Sequence, residues 1–155
     1  MIADSSRYYG AVFTYIIDRW EGSVAFRKAY EDAVGFYLIN ERIPIYIKYS
    51  TNRNSPWTFN FQKEQQYRQQ YLADVMKECI MCFVCGKDGI VALRHADFRG
   101  VLDDNFERQE AVTIRRRHNM MYHIKGRDGE FDRKMSRNSL AEILAPMTSR
   151  IEITK

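Results

Sequence analysis

The stretch that most limits how this chain can fold is residues 79–94. Seven consecutive apolar residues, Cys79 to Cys85 (CIMCFVC), run into Gly86-Lys87-Asp88-Gly89, and Ile90 to Arg94 follows. Seven residues make a strand and fall well short of the roughly 18 needed to span a bilayer. The two glycines tolerate the positive φ angles that a tight turn demands. A buried β-hairpin is therefore expected here.

Other segments take their form from periodicity. Tyr8, Tyr9, Val12, Phe13, Ile16, Ile17 and Trp20 recur at the helical period, with Ser5 or Ser6 as a cap and Gly22 as the stop. Residues 23–32 are ambiguous between a short helix and irregular structure. Val34–Ile39 and Ile43–Tyr49 predict a hairpin about Asn40, Glu41 and Arg42, the second strand alternating Ile43, Ile45, Ile47 and Tyr49 against Pro44, Tyr46 and Lys48. Trp57, Phe59 and Phe61 mark one face of a further strand. A second helix is expected over 62–77, with Tyr67, Tyr71, Leu72, Val75 and Met76 as its apolar stripe and the glutamines on the solvated side. Asp97 heads a single turn through Phe98, Val101 and Leu102. Strands follow near 111–116 and 120–125, and Ser139-Leu140-Ala141-Glu142 has the pattern of a capping box for a last short helix.

These elements define an α+β fold: a mixed, largely antiparallel central sheet with an N-terminal, a middle and a short C-terminal helix packed on it. A single domain over 1–145 with a C-terminal tail over 146–155 is expected, because 155 residues suit one domain and no Gly/Pro-rich linker interrupts them. A hydrophobic fraction of 45% is enough to fill a core of that size. The N-terminus lacks a basic start followed by an apolar stretch, so no leader and no membrane association are expected.

Cys79, Cys82 and Cys85 form CxxCxxC inside the apolar run. Without a fourth ligand or turn-like flanks, the pattern reads as small buried hydrophobes rather than a metal site. An odd number of cysteines suits a reducing compartment, and the cytoplasm is expected. Cys79 and Cys85 would share a strand face that excludes Cys82. His95, His118 and His123 have no ligand or triad spacing. No GxSxG motif or phosphate loop is present. No metal and no cofactor are therefore expected.

The order helix, three strands, helix, strand over roughly residues 7–94 resembles the core of the restriction-endonuclease-like nuclease superfamily. The resemblance implies two carboxylates holding Mg²⁺, the second standing two residues before a lysine that positions the attacking water. Lys48 occupies such a strand, but Tyr46 stands two residues before it, and Thr58 and Asn60 on the next strand are no better as ligands. An active nuclease would need a displaced carboxylate, and only then Mg²⁺. Lys48 on an alternating strand also reads as an ordinary solvated lysine. Its neighbours Tyr46, Tyr49, Ser50, Asn52, Arg53 and Asn54 nonetheless suit an anion.

Net charge is +4, and residues 105–138 alone carry nine Lys or Arg against five acids. If the strands near 111–117 and 119–125 pair, Arg115, Arg117, His123 and Lys125 line one stretch of sheet beside Tyr122. Such a surface suits phosphate contact and base stacking. The competing reading is a charged edge that discourages aggregation, but Arg115-Arg116-Arg117 puts cations on both faces of its strand.

Three functions follow. The first is a nucleic-acid-binding domain of nuclease-like architecture without a complete catalytic set, contacting DNA or RNA through Lys48, Arg53, Arg115, Arg116, Arg117, His123 and Lys125. The second is a protein–protein interaction subunit of a larger complex, with aromatics such as Tyr8, Tyr37, Tyr46 or Trp57 as anchors. The third is a metal-dependent nuclease with a displaced carboxylate.

Overall fold

The hairpin at 79–94 is the hub of the molecule in a computed structural model that describes residues 1–103, 105, 106 and 108–154. β5 (Ile80–Cys85) and β6 (Gly89–Leu93) pair antiparallel, Cys85 facing Gly89. On its other side β5 runs parallel to β3 (Ile43–Ser50), which pairs antiparallel with β2 (Phe36–Ile39), and β2 with β1 (Phe26–Lys28). The sheet order is β1-β2-β3-β5-β6. The ambiguous segment before Val34 thus contributes an edge strand. A parallel pair needs a long crossover, and here it is supplied by β4 (Trp57–Phe61) and the helix α2 (Lys63–Met76).

β4 does not join that sheet. It pairs antiparallel with β7 (Glu110–Arg115), which pairs with β8 (His123–Gly126), forming a second, three-stranded sheet. Alternation along β4 buries Trp57, Phe59 and Phe61 and exposes Thr58 and Asn60, so the small sheet lays one apolar face on the large one. All six residues of β5 are buried because layers cover both its sides. On one side α1 (Asp4–Arg19) and α4 (Ser139–Leu144) bring Val12, Ile16, Leu140 and Leu144 onto Ile45, Ile47, Ile80, Cys82 and Val84. On the other, Met81, Phe83 and Cys85 meet Phe59, Phe61, Val112, Ile114 and Ile124, with Phe98 from α3 (His95–Val101). The fold is α+β with mostly antiparallel sheets, and none of its described helices is long and apolar enough to cross a membrane.

The cysteines separate by strand alternation as expected: Cys79 and Cys85 face the small sheet, and Cys82 faces α1 and α4. All three are free and buried, and burial pushes their thiols well above the usual range.

Three local expectations change. α1 begins at Asp4 after Ala3, ahead of both serines. Ser139 does not cap α4: its hydroxyl accepts the Ala92 backbone N–H at 2.9 Å, tying α4 to β6, and Ser136 donates to Glu142 instead. The largest change is in α2, where Gln66 and Gln69 are fully buried while Tyr67, Tyr71 and Val75 are more than half exposed. The glutamines face inward because strand ends offer carbonyls there. Gln66 Nε2 donates to the carbonyls of Phe61 and Arg108, and Gln69 Nε2 to that of Cys79. Gln69 Oε1 accepts from Arg99 at 3.1 Å. A buried carbonyl left unpaired costs about 1–3 kcal/mol, and an amide that satisfies it outranks one more apolar side chain. After Pro146, Met147 and Ile151 pack on the α1 side of the core, and Ile151 bridges Trp20.

Candidate nucleic-acid interface

With Val112, Ile114, Ile124 and the β4 aromatics turned inward, the outer face of the small sheet belongs to alternate residues. Thr58, Thr113 and Lys125 stand side by side across the three strands, and Arg115 is paired with His123 in the next position. Arg115 and Lys125 are exposed and His123 is half-buried. Arg115, His123 and Lys125 therefore lie together on one solvent-facing surface. His123 Nε2 is bonded to Glu130 Oε1, so one acid already engages this face.

At the end of β7 the chain meets the loop that carries β3 into β4. There Arg53, Ser55, Asp88, Arg116, Arg117 and His118 line a pocket of about 280 Å³. Three features build it. Gly86, at φ +55°, lets the β5–β6 turn approach that loop so closely that a Cβ would sit 2.2 Å from the Asn52 carbonyl. Trp57 Nε1 donates to the same carbonyl at 3.0 Å, and the Arg116 N–H donates to Ser55 Oγ at 3.0 Å.

The arginine triplet divides by direction. Arg116 turns back over the core edge: its Nη1 lies 2.9 and 3.0 Å from the two Asp88 oxygens, its Nε donates to the Met120 carbonyl, and its guanidinium lies over the Tyr122 ring. Tyr122, fully buried, donates its hydroxyl to Asp88 Oδ2 at 2.5 Å. Burial and the Asp88 carboxylate both hold that phenol well above its ordinary range. Arg116 is thus half of a clamp between the two sheets. Arg115 and Arg117 are exposed, and among the described residues neither makes an ion pair; the same holds for Arg53 and Lys125.

Lys48 stands apart. It leaves β3 on the inner side, its ammonium 5.1 Å from the Phe61 ring centre and 3.4 Å from Gln65 Oε1. Desolvation lowers its pKa to about 8. Among the described residues no carboxylate forms an ion pair with it. Of the expected aromatic anchors, Tyr46 and Trp57 are buried, Tyr8 stacks on Tyr49 and Tyr37 packs edge-on against Phe13. Two elements escaped sequence reasoning. Asp88 lies inside a turn, and the spacing of Tyr67 and Tyr71 fits an inward stripe although both are exposed.

Compared with family models, curated proteins and solved structures, the chain matches none. The class that fold and site define is an α+β domain with a basic pocket at the end of its smaller sheet.

Proposed function

We propose that the chain binds a nucleic acid on the outer face of the small sheet, with a phosphate in the pocket at its end. The observation that carries this reading is the grouping of Arg53, Arg117 and His118 in one pocket, with Arg115 and Lys125 on the same sheet, free of acid partners among the described residues. Phosphate contacts supply affinity without sequence readout. The outer face is threonine, asparagine and cations rather than aromatic, which favours backbone contact over base stacking. Arg116 and His123 act as supports, since each is already bonded to an acid. The chain binds without cleaving. Its buried free thiols suit a reducing, cytoplasmic setting.

The test is a fluorescence-anisotropy titration with labelled DNA and RNA. Arg53→Glu, Arg115→Glu and Arg117→Glu together should weaken binding far more than Lys77→Glu, an exposed control on α2's end. Equal effects would remove the localised surface. Incubation with Mg²⁺ or Mn²⁺ should leave the strands intact, and cleavage would reinstate the displaced-carboxylate nuclease.

A second reading, a protein-interaction subunit, rests on α2. Tyr67, Tyr71 and Val75 are 53–59% exposed at positions i, i+4 and i+8. Tyr67 also lines a groove of about 710 Å³ with Val34, Phe36 and Gln65. Such an apolar stripe suits docking of another chain. If Tyr71→Arg abolished association with a partner and left nucleic-acid affinity intact, this reading would take precedence.

A further inference from the structure

At the opposite end of β7 from the basic pocket, three acids from three separate segments meet. Asp103 follows α3, Glu110 opens β7, and Asp128 lies in the turn after β8; one carboxylate oxygen from each falls within 4.8 Å of the others. Their sequence spacing forms no motif. The approach is imposed by backbone: a Cβ at Gly126 would sit 2.1 Å from the Val101 carbonyl, and one at Gly129 2.2 Å from that of Gly100. Only glycines let the β8 turn press so closely on the end of α3. The Asp128 N–H then donates to Val101 O at 3.0 Å, and the Asp103 N–H to Asp128 Oδ2 at 3.0 Å. Asp103 Oδ1 is steadied by the Asn105 N–H at 2.9 Å.

Glu110 supplies the independent observation. It is only 5% exposed, and its buried Oε2 has no hydrogen-bond partner, although the side chain is directed into this cluster. Among the described residues no lysine or arginine forms an ion pair with any of the three carboxylates. A buried carboxylate oxygen that faces two further carboxylates, with Arg127 as a partial counter-charge, favours an added cation.

We propose that Asp103, Glu110 and Asp128 bind one hard divalent cation, which cross-links the segment between α3 and β7 to the β8 turn. Three carboxylates suit Ca²⁺ or Mg²⁺, both of which prefer oxygen ligands and complete their shells with water. Ligand oxygens around one Ca²⁺, at bonds of about 2.3–2.6 Å, lie within about 5 Å of one another, and the three carboxylates already lie within 4.8 Å. The cation is structural and independent of the basic surface.

The test is thermal unfolding of chelator-stripped protein, without nucleic acid, in CaCl₂, MgCl₂ or MnCl₂ and in NaCl of matched ionic strength. For a cation present at a hundred times its Kd, the midpoint should rise by about 5–10 °C, and the relative sizes of the three rises identify the preferred ion. Glu110→Gln should abolish the response while Asp132→Asn, an exposed acid outside the cluster, retains it. If Glu110→Gln does not fold, Asp103→Asn takes its place, with equilibrium dialysis as readout. Should none of the three cations shift the wild-type midpoint beyond NaCl, the proposal is wrong. It is equally wrong if Glu110→Gln raises the midpoint in chelator while the wild type ignores cations, since the carboxylates then share a proton.

Discussion

Replacing Asp88 by alanine tests whether the two sheets are joined as described. Asp88 receives two hydrogen bonds from Arg116 and one from the Tyr122 hydroxyl. Hydrogen bonds to charged groups contribute about 1.5–3 kcal/mol each when isolated, but these share one carboxylate and are not additive. The Arg116 side chain is 12% exposed and Asp88 27%. The pair therefore falls between exposed ion pairs, worth about 0–1 kcal/mol, and buried ones, whose breakage costs about 3–5 kcal/mol. The substitution also leaves a buried phenol unpaired. We expect a loss of about 2–3 kcal/mol, read as a lower urea midpoint at unchanged slope and a melting temperature lowered by about 5–10 °C. Glu41→Ala is the control: it cuts the Arg27 pair, whose side chains are 56% and 63% exposed, and should shift the urea midpoint far less, since exposed ion pairs are screened by water. Nucleic-acid affinity of the folded Asp88→Ala protein should hold or rise at low salt, because a negative charge has left the pocket. If Asp88→Ala were no more destabilising than Glu41→Ala, the clamp between the sheets would be refuted.

Two further outcomes follow from the interior. Gln69→Leu should destabilise by about 1–3 kcal/mol in urea denaturation, because the Cys79 carbonyl and the Arg99 guanidinium both lose a partner; a neutral result would show that packing alone places α2. His95 is held below the ordinary 6.5 by burial and then by Arg99, with Glu78 and Asp74 pulling the other way. The unfolded chain therefore takes up this proton first as pH falls. Stability should be lost from about pH 7 downward through 6.5, until the folded ring is protonated as well. Denaturation midpoints between pH 7.5 and 5.5 should flatten in His95→Gln, and an unchanged profile would remove His95 as the source.

Both the legible and the illegible parts of this chain have physical causes. Strands declared themselves wherever one face is wholly apolar, as in Trp57, Phe59 and Phe61, because alternation records burial directly. That β4 would leave its hairpin neighbours for a second sheet was not legible, since alternation says which face is buried and not which strand lies beside it. α2 misled because the helical period is the same for any face. Its aromatic stripe is exposed, while Gln66 and Gln69 are buried to satisfy carbonyls of distant segments. The grouping of Arg115, His123 and Lys125 could be anticipated from pairing of two nearby strands. The partner of Arg116 could not, because Asp88 is 28 residues away in a turn.

That division of the arginine triplet bounds how strongly a polyanion can be held. β-strand alternation sends Arg115 outward and Arg116 back to Asp88, so three consecutive cations do not yield three phosphate contacts. On the proposed surface Arg53, Arg115, Arg117 and Lys125 remain without acid partners among the described residues. Each phosphate neutralised contributes about −0.9 to the slope of log K against log salt for duplex and about −0.7 for single strands. Four contacts give about −3.6 or −2.8, so raising salt from about 50 to 200 mM should weaken binding roughly 150-fold for duplex and roughly 50-fold for single strands. Arg115→Ala should make the slope shallower by about one contact. Arg116→Leu, measured on folded protein, should leave it nearly unchanged, because that guanidinium is already neutralised within the fold. A steeper slope than about −5 would mean that cations outside this surface take part, and a flat one would mean that phosphate is not the ligand. If Arg116→Leu lowered the slope as much as Arg115→Ala, Asp88 would have to release Arg116 on binding, and the clamp would then be a switch rather than a support.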